Sequence, residues 1–312
     1  MSKIVELAAS TDLLRLQTSL NDLDDMYSLP LRHQLWYVRH SIFRGYVYVD
    51  RWPEYNYICS LHTSKEFIQE DKFDFDVVSV YDTTDKNGPD FEMFLRCLAS
   101  VRSWLRGRSV YGNYLLLNQI DTFQRILGHH GEIAMYGQYM MYTGMESPNL
   151  GHYRDRLDIL TEYLPPELAL DSLRPCDVER VIRDWNYGPH TMIPSYFHWL
   201  LTTFPSTCLR NRDGQLVAWA STYSCGAIAN VFIEPPYRGR GLSEYLWLSI
   251  ASKLCQFCPL QLFFDIKPGN VASEKSSQKA FHLDFKKGDK LCAWFFFYNQ
   301  DQLLNDAQKN NL

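Results

Sequence analysis

Two glycines alternate with two arginines in Arg238-Gly239-Arg240-Gly241-Leu242-Ser243. An apolar run, Ala229 to Ile233, enters this stretch through Glu234-Pro235-Pro236-Tyr237, and an apolar-periodic segment, Leu242 to about Leu254, leaves it. The order predicts a strand, a glycine-containing loop and a helix start. A helix N-terminus presents N–H groups without intrahelical partners and a partial positive charge, so it can hold a phosphate. Gly239 and Gly241 let the backbone approach such an anion, while Arg238 and Arg240 add charge on either side. An ordinary glycine turn ahead of a helix is the plainer alternative.

The type of phosphate loop can be narrowed. No Gly-Lys-Ser/Thr triplet occurs, so a P-loop does not fit. The dinucleotide fingerprint needs a third glycine three residues after the second, and Glu244 stands there. What fits is Arg-x-x-Gly-x-small, carried by Arg238, Gly241 and Ser243. This resembles the pyrophosphate loop of the GCN5-related N-acyltransferases (GNAT), which hold coenzyme A.

The chain must supply a scaffold for that loop. Its 312 residues suggest two domains or one large one, and 46% hydrophobic with 15% aromatic content is ample for a packed core. A formal net charge of −5 argues against general nucleic-acid binding. No run of 18 apolar residues occurs, so no membrane span is expected. Eight scattered cysteines read as reduced intracellular thiols rather than a disulfide framework. Met1 to Leu20 reads as an amphipathic helix with Ile4, Leu7, Ala8, Thr11 and Leu14 on one face. It lacks a secretory core and is too acidic for a convincing organelle presequence, which favours the cytoplasm.

The sequence repeats at an offset of 152 residues. Pro53 pairs with Pro205, Ala99 with Ala251 and Asn118 with Asn270. A repeat this long implies two copies of one domain. Each half reads aromatic-Pro, a strand pair, a helix, a strand and another helix. The polar stretch Thr143 to Pro166 is the expected boundary, giving domains over 1–150 and 165–312. In the second half the pattern predicts a helix over Pro175–Trp185 and strands over Ser206–Leu209, Leu216–Tyr223 and Ala227–Glu234. A helix over Leu242–Phe257, a strand over Leu260–Ile266, a helix over Glu274–Leu283 and an apolar strand over Leu291–Tyr298 complete it. At the repeat offset the phosphate loop maps onto Lys86 to Phe91. There Pro89 removes an N–H donor and Asp90 puts negative charge where a phosphate would lie. The first copy is therefore expected to be degenerate, a scaffold or substrate-side wall without a coenzyme A loop.

Several segments together resemble the glycine N-acyltransferase family, a two-part branch of the GNAT superfamily. They are Val49 to Asn56 in the first half, then Trp185-Asn186-Tyr187-Gly188, Thr203 to Leu209, Asp213 to Trp219 and Pro235 to Leu242. The resemblance implies an α/β fold of tandem GNAT-like domains, each a mixed sheet flanked by helices. It implies transfer of an acyl group from acyl-CoA, with an acetyl, longer or aromatic chain, to a small amine such as glycine or another amino acid. No metal takes part in that chemistry, and enzymes of this family are commonly mitochondrial. The residues it places on coenzyme A are Phe232, Ile233, Arg238, Gly239, Arg240, Gly241, Leu242, Ser243 and Ser273, with Asn270 as the alternative to Ser273.

The proton carriers depart from the family's pattern. An amine must be neutral to attack a thioester, so a general base helps, and the departing thiolate benefits from an acid. The family's base glutamate follows the glycine that opens the central strand; here that glycine is Gly226 and the next residue is Ala227. The superfamily's acidic tyrosine position holds Ala280. Glu234, Asp265, Tyr223 and His190 are the substitute candidates, each with a structural role as the alternative. If Ala227 faces the thioester, weak native transfer and a gain on Ala227→Glu are expected. The competing reading is a catalytically weak or inactive acyl-CoA-binding or interaction protein.

Other features read two ways. Cys255-x-x-Cys258 could bind metal or act in redox chemistry, but lacks partners at a recognisable spacing and suits packing. His129-His130 could be a metal pair, but adjacent residues diverge and two glycines flank them, which suits a solvated turn. Trp294 to Tyr298 could touch a membrane, or form a strand buried on both faces.

Overall fold

A computed structural model of the protein describes residues 4–63, 75–84, 88–106, 108–144, 150–183, 193–281 and 285–300. The elements run in the order β1 (Val5–Glu6), α1 (Ser10–Asn21), α2 (Leu29–Arg39), β2 (Gly45–Val49), β3 (Tyr57–Thr63), β4 (Phe75–Asp82), α3 (Pro89–Val101), β5 (Ser109–Leu116), α4 (Leu117–Leu127) and β6 (Gly131–Gly144). After α5 (Leu150–Thr161) the same order runs again: β7 (Leu168–Asp171), α6 (Val178–Arg183), α7 (Ile193–Thr203), β8 (Thr207–Asn211), β9 (Leu216–Thr222), β10 (Ile228–Ile233), α8 (Leu242–Phe257), β11 (Phe263–Ile266), α9 (Val271–Phe281) and β12 (Phe285–Asn299). The fold is α/β, a large mixed sheet flanked by helices.

Two compact units divide the chain. One comprises 1–138 and 290–312, the other 139–289, so the divisions fall inside β6 and β12. These differ from the expected 1–150 and 165–312. The reason is strand pairing. From Cys292 to Phe297, β12 lies antiparallel to β5 in the first unit, whereas β6 from Met140 to Thr143 lies antiparallel to β11 in the second. Each pass through the element order ends on a strand that completes the other pass's unit. The stretch expected as a linker also contains α5, which packs on α8.

In the first unit, Leu13, Leu16 and Leu20 of α1 and Leu31 and Leu35 of α2 cover one face of the sheet. Phe91, Phe94 and Leu98 of α3 and Phe123 of α4 cover the other. The N-terminal segment differs from expectation. Val5 and Glu6 pair with Val49 and Tyr48 as an edge strand, and α1 begins only at Ser10. Leu14, expected on the apolar face, is 48% exposed, and Leu13 and Leu16 turn inward instead. At the base of β4, the buried Asp76 carboxylate accepts from Arg102 Nε and Nη2, both at 3.0 Å, and from Trp104 Nε1 at 2.8 Å. Arg108 adds an ion pair at 2.8 Å.

The repeat is visible in the element order, but one expected equivalence fails. Ala99 on α3 and Ala251 on α8 occupy equivalent helices. Trp52-Pro53 lies after β2, in the connection to β3, while Phe204-Pro205 precedes β8. The connection from β2 to β3 is longer than the one from β8 to β9, so a constant offset does not hold there.

In the second unit the sheet runs β7-β8-β9-β10-β11-β6. Leu242, Leu246, Ile250 and Leu254 of α8 lie in one apolar cluster with Ala218, Ala220, Ile228 and Phe264 of the strands and Ala280 and Phe281 of α9. That helix is buried along most of its length, which is why its residues are apolar on nearly every side. Helix α7 packs on β9. Both α7 and β7 lie outside the expected elements. The expected helix over Pro175–Trp185 is a 3-10 turn over Pro175–Asp177 followed by α6; Trp185 to Gly188 and His190 lie outside the described residues.

The features with two readings take structural places. His129 and His130 are exposed in the turn after α4. The run Trp294 to Phe297 is buried within β12. Cys255 and Cys258 are buried thiols at the end of α8, and no cluster that could hold a metal occurs among the described residues. No described helix is long and apolar enough to cross a membrane.

Two measurements check this packing. Replacing Asp76 by Ala leaves two guanidinium groups without their buried acceptor and should lower the unfolding free energy by about 3–5 kcal/mol in urea titration. A loss below about 1 kcal/mol would mean that water reaches the site. Burial pushes the Cys225, Cys255 and Cys258 thiols up to about 12. A thiol reagent at pH 7.5 should therefore modify the exposed Cys176 at once and these three only after denaturation. Rapid native labelling of Cys255 or Cys258 would contradict their burial.

Candidate functional site

β10 is the strand on which the site is built. It begins after a tight turn in which Gly226, at φ +89°, donates to the Tyr223 carbonyl at 2.8 Å, and Tyr223 N–H returns to the Ala227 carbonyl at 3.0 Å. Ile228 and Ala229 then pair with Thr222 and Ser221 of β9, and Phe232 and Ile233 pair with Trp219 and Ala218. Between these pairs, Asn230 and Val231 oppose Ala220 alone. This is a β-bulge, and Asn230 takes φ +52° there. On its other side β10 is parallel to β11, with a single register pair, Ile228 opposite Phe264. No later pair joins the two strands among the described residues, so the outer half of β10 parts from β11.

The bulge is tied to β9 by side chains. Tyr223 Oη donates to Asn230 Oδ1 at 3.0 Å, and Asn230 Nδ2 donates to Ser221 Oγ at 3.0 Å. Ser221 and Tyr223 are buried. Behind them the Tyr196 hydroxyl of α7 meets Ser224 Oγ at 3.1 Å. A lone Asn in an otherwise apolar six-residue strand is the only local signal for this bulge, and the apolar run around it masks that signal.

The phosphate-type loop follows. Pro235–Tyr237 form one 3-10 turn, and Gly241 is the N-cap of α8. Gly239 and Gly241 take φ +75° and +77°, the left-handed region that glycine occupies without strain. A Cβ built on either meets no atom within 4 Å, so the space beside both is open. A glycine cap has no side chain to accept the first-turn N–H groups; Glu244 N–H turns back to the Gly241 carbonyl at 3.3 Å. Leu242 is buried beneath the loop, Ser243 is half-buried, and Arg238, Gly239, Arg240 and Gly241 are exposed. The loop thus brings together open backbone, a helix N-terminus and two cations.

The cations differ. Arg240 pairs with Glu167 and lies 5.6 Å from the Tyr237 ring centroid. Its hydrogen bond holds the Glu167 carboxyl below the usual range. Arg238 Nε donates to the Ile233 carbonyl at 2.9 Å, and its guanidinium sits 5.5 Å from the Phe232 centroid. No carboxylate pairs with Arg238 among the described residues, whereas Arg240 has Glu167. Phe232 stacks on Trp219 at 4.6 Å, and the Arg180 guanidinium lies over the Trp219 ring, 5.1 Å from its centroid.

The substitute bases separate along the strand. Glu234 forms an ion pair with Arg180 at the rim of a cavity of about 390 Å³ whose lining includes Gln215, Val217 and Tyr237. Tyr223 is at the opposite end of β10, its hydroxyl committed to Asn230. Asp265 is half-buried on β11 opposite Met141, and its charge adds to the upward push on the Cys225 thiol. Ala227 and Ala280 are both fully buried. At the start of α9, Asn270 caps the helix by accepting from Ser273 N–H at 3.2 Å, and Ser273 is the third residue of the helix. In the first unit the equivalent helix, α3, begins with Pro89 and carries Asp90 and Glu92 in its first turn. That end repels anions.

No family model matches the chain. It is 21% identical over 257 residues to the mouse (Mus musculus) glycine N-acyltransferase, covering 79% of this chain and 82% of that one. To the human glycine N-acyltransferase it is 22% identical over 273 residues, with 82% and 87% covered. A crystal structure of a Drosophila protein from a structural genomics consortium superposes with a TM-score of 0.66 at 16% identity, covering 96% of this chain and all of the other. The last likeness speaks for the fold; the first two run along most of the sequence, so the chain is similar over most of its length to glycine N-acyltransferases.

Proposed function

We propose that the second unit binds acyl-CoA and transfers its acyl group to a small amine, with glycine or another amino acid as the acceptor class. The observation that carries this reading is the coincidence of three features on one strand: the parting of β10 from β11, the bulge at Asn230 and Val231, and the uncapped N-terminus of α8 directly beyond. The pyrophosphate lies against Gly239, Gly241, Leu242 and Ser243, with Arg238 and Arg240 beside it. The pantetheine arm follows the backbone of Phe232 and Ile233, and Ser273 faces it from α9. The parted edge of β10 offers backbone N–H groups to the thioester carbonyl, where negative charge develops during attack. Coenzyme A itself supplies the activated thioester; the protein supplies position, which in favourable cases is worth about 7–11 kcal/mol.

A second reading has its own support. Both positions where the family carries its proton donors and acceptors are buried alanines, Glu234 is held by Arg180, and Tyr223 is held by Asn230. Binding of acyl-CoA with slow transfer fits those facts. Following thiol release from acetyl-CoA and benzoyl-CoA with a panel of amino acids separates the two readings.

The loop is tested by a pair of substitutions. Gly241→Ala adds strain in the left-handed region, about 1–2 kcal/mol, without a clash. Gly241→Asp adds the same strain and a negative charge. Calorimetry should show coenzyme A binding weakened at least about tenfold more by Asp than by Ala, about 1.4 kcal/mol. Equal affinities in the two variants would remove the pyrophosphate from this loop. Ala227→Glu has no room in the buried turn, so it should cost about 1–3 kcal/mol in stability rather than restore a base. A variant as stable as the parent with faster transfer would show that Ala227 opens onto the acceptor.

A further inference from the structure

Asn230 is the one non-glycine residue of the second unit that adopts a left-handed backbone among the described residues. Asn tolerates that region better than most side chains. It sits within the parted half of β10, and both ends of its amide are engaged: Oδ1 accepts from Tyr223 Oη, and Nδ2 donates to Ser221 Oγ. Both partners are buried, Ser221 on β9 and Tyr223 in the turn directly after it. The two bonds therefore hold the bulged residue to β9 while the backbone beyond it leaves β11. Without them the extra residue could be ironed out, or β10 could slide back toward β11 and close the gap.

We propose that Asn230 is a positioning residue: with Tyr223 and Ser221 it fixes the bulge so that the backbone beside it meets the acyl carbonyl. The inference rests on the acyl-CoA reading above. Asn230 touches no reacting atom; it acts through the backbone. Its side chain is neutral at both ends, so it orients the strand without adding charge to the site. Neither the loop nor the missing base requires an asparagine here, which makes the role separable from both.

The test uses the full-length protein and two unreactive analogues, acetylcarba(dethia)-coenzyme A, in which a methylene replaces sulfur and the carbonyl is kept, and the same molecule with that carbonyl reduced to a methylene. The native protein should bind the ketone about tenfold more tightly, the worth of one hydrogen bond to a preset donor. Asn230→Gly keeps the left-handed backbone accessible and removes the side chain. Tyr223→Phe keeps the side chain and removes its hydroxyl donor. In both, the preference should fall below about threefold while affinity for the methylene analogue stays within about twofold. Asn230→Asp can still accept from Tyr223 and should keep part of the preference. Where transfer is measurable, kcat should fall with the preference while KM for acyl-CoA holds, and melting curves confirm folding. A full ketone preference in Asn230→Gly and Tyr223→Phe would overturn the proposal, as would a native protein that does not distinguish the analogues. Loss of all coenzyme A binding in the native protein would instead overturn the acyl-CoA reading, and this inference with it.

Discussion

One register pair, Ile228 opposite Phe264, joins β10 to β11, and the candidate site depends on the strands separating after it. A parallel ladder continued to Ile233 would satisfy the backbone of β10 on both edges and leave nothing to offer a ligand. Separation has to be maintained against the tendency of exposed strand edges to pair. The bulge at Asn230 does this by retaining the β9 ladder on both sides of the extra residue while changing the direction of the strand. The packing of Val231 and Ile233 against the α8 side holds the departing half from below.

The same arrangement places the loop. Because β10 stays paired with β9 through Ile233, the turn Pro235–Tyr237 delivers Gly239 and Gly241 to the start of α8, and α8 is fixed by its own burial. Arg238 folds back onto the strand through the Ile233 carbonyl and the Phe232 ring, so loop and strand are braced together. Trp219, stacked on Phe232, and Arg180 over the Trp219 ring extend that bracing to α6. The first unit has the same order of elements, but Pro89, Asp90 and Glu92 stand at the equivalent helix end.

Much of the second unit was legible in the chain. Helix α8 could be read to the residue, because an apolar segment bounded by Gly241 and the Cys258–Pro259 stop has few alternatives. The strands β8 to β11 were readable from their apolar runs and the Asp213-Gly214 turn. Other features were not. β7, at four residues, is too short to announce itself, and Leu14 misled because the edge strand ahead of α1 shifts the helix's inward face by one residue. Pro53 and Pro205 align in sequence yet lie on opposite sides of their strands, since loop lengths change between the copies. The bulge and the Arg180–Glu234 pair depend on which residues of neighbouring elements come together, and no local pattern encodes that. Of the site, the loop was readable; the reason Glu234 and Tyr223 are both engaged elsewhere was not.

Backbone amide shifts during titration with coenzyme A test the central claim most directly, because they report the loop and the parted strand residue by residue. The account predicts saturable shifts at Gly239, Gly241, Leu242 and Ser243 and along Val231 to Ile233, with the α3 amides of Asp90 to Glu92 unmoved. Saturable binding that leaves the Gly239–Ser243 amides in place and shifts residues elsewhere would contradict it.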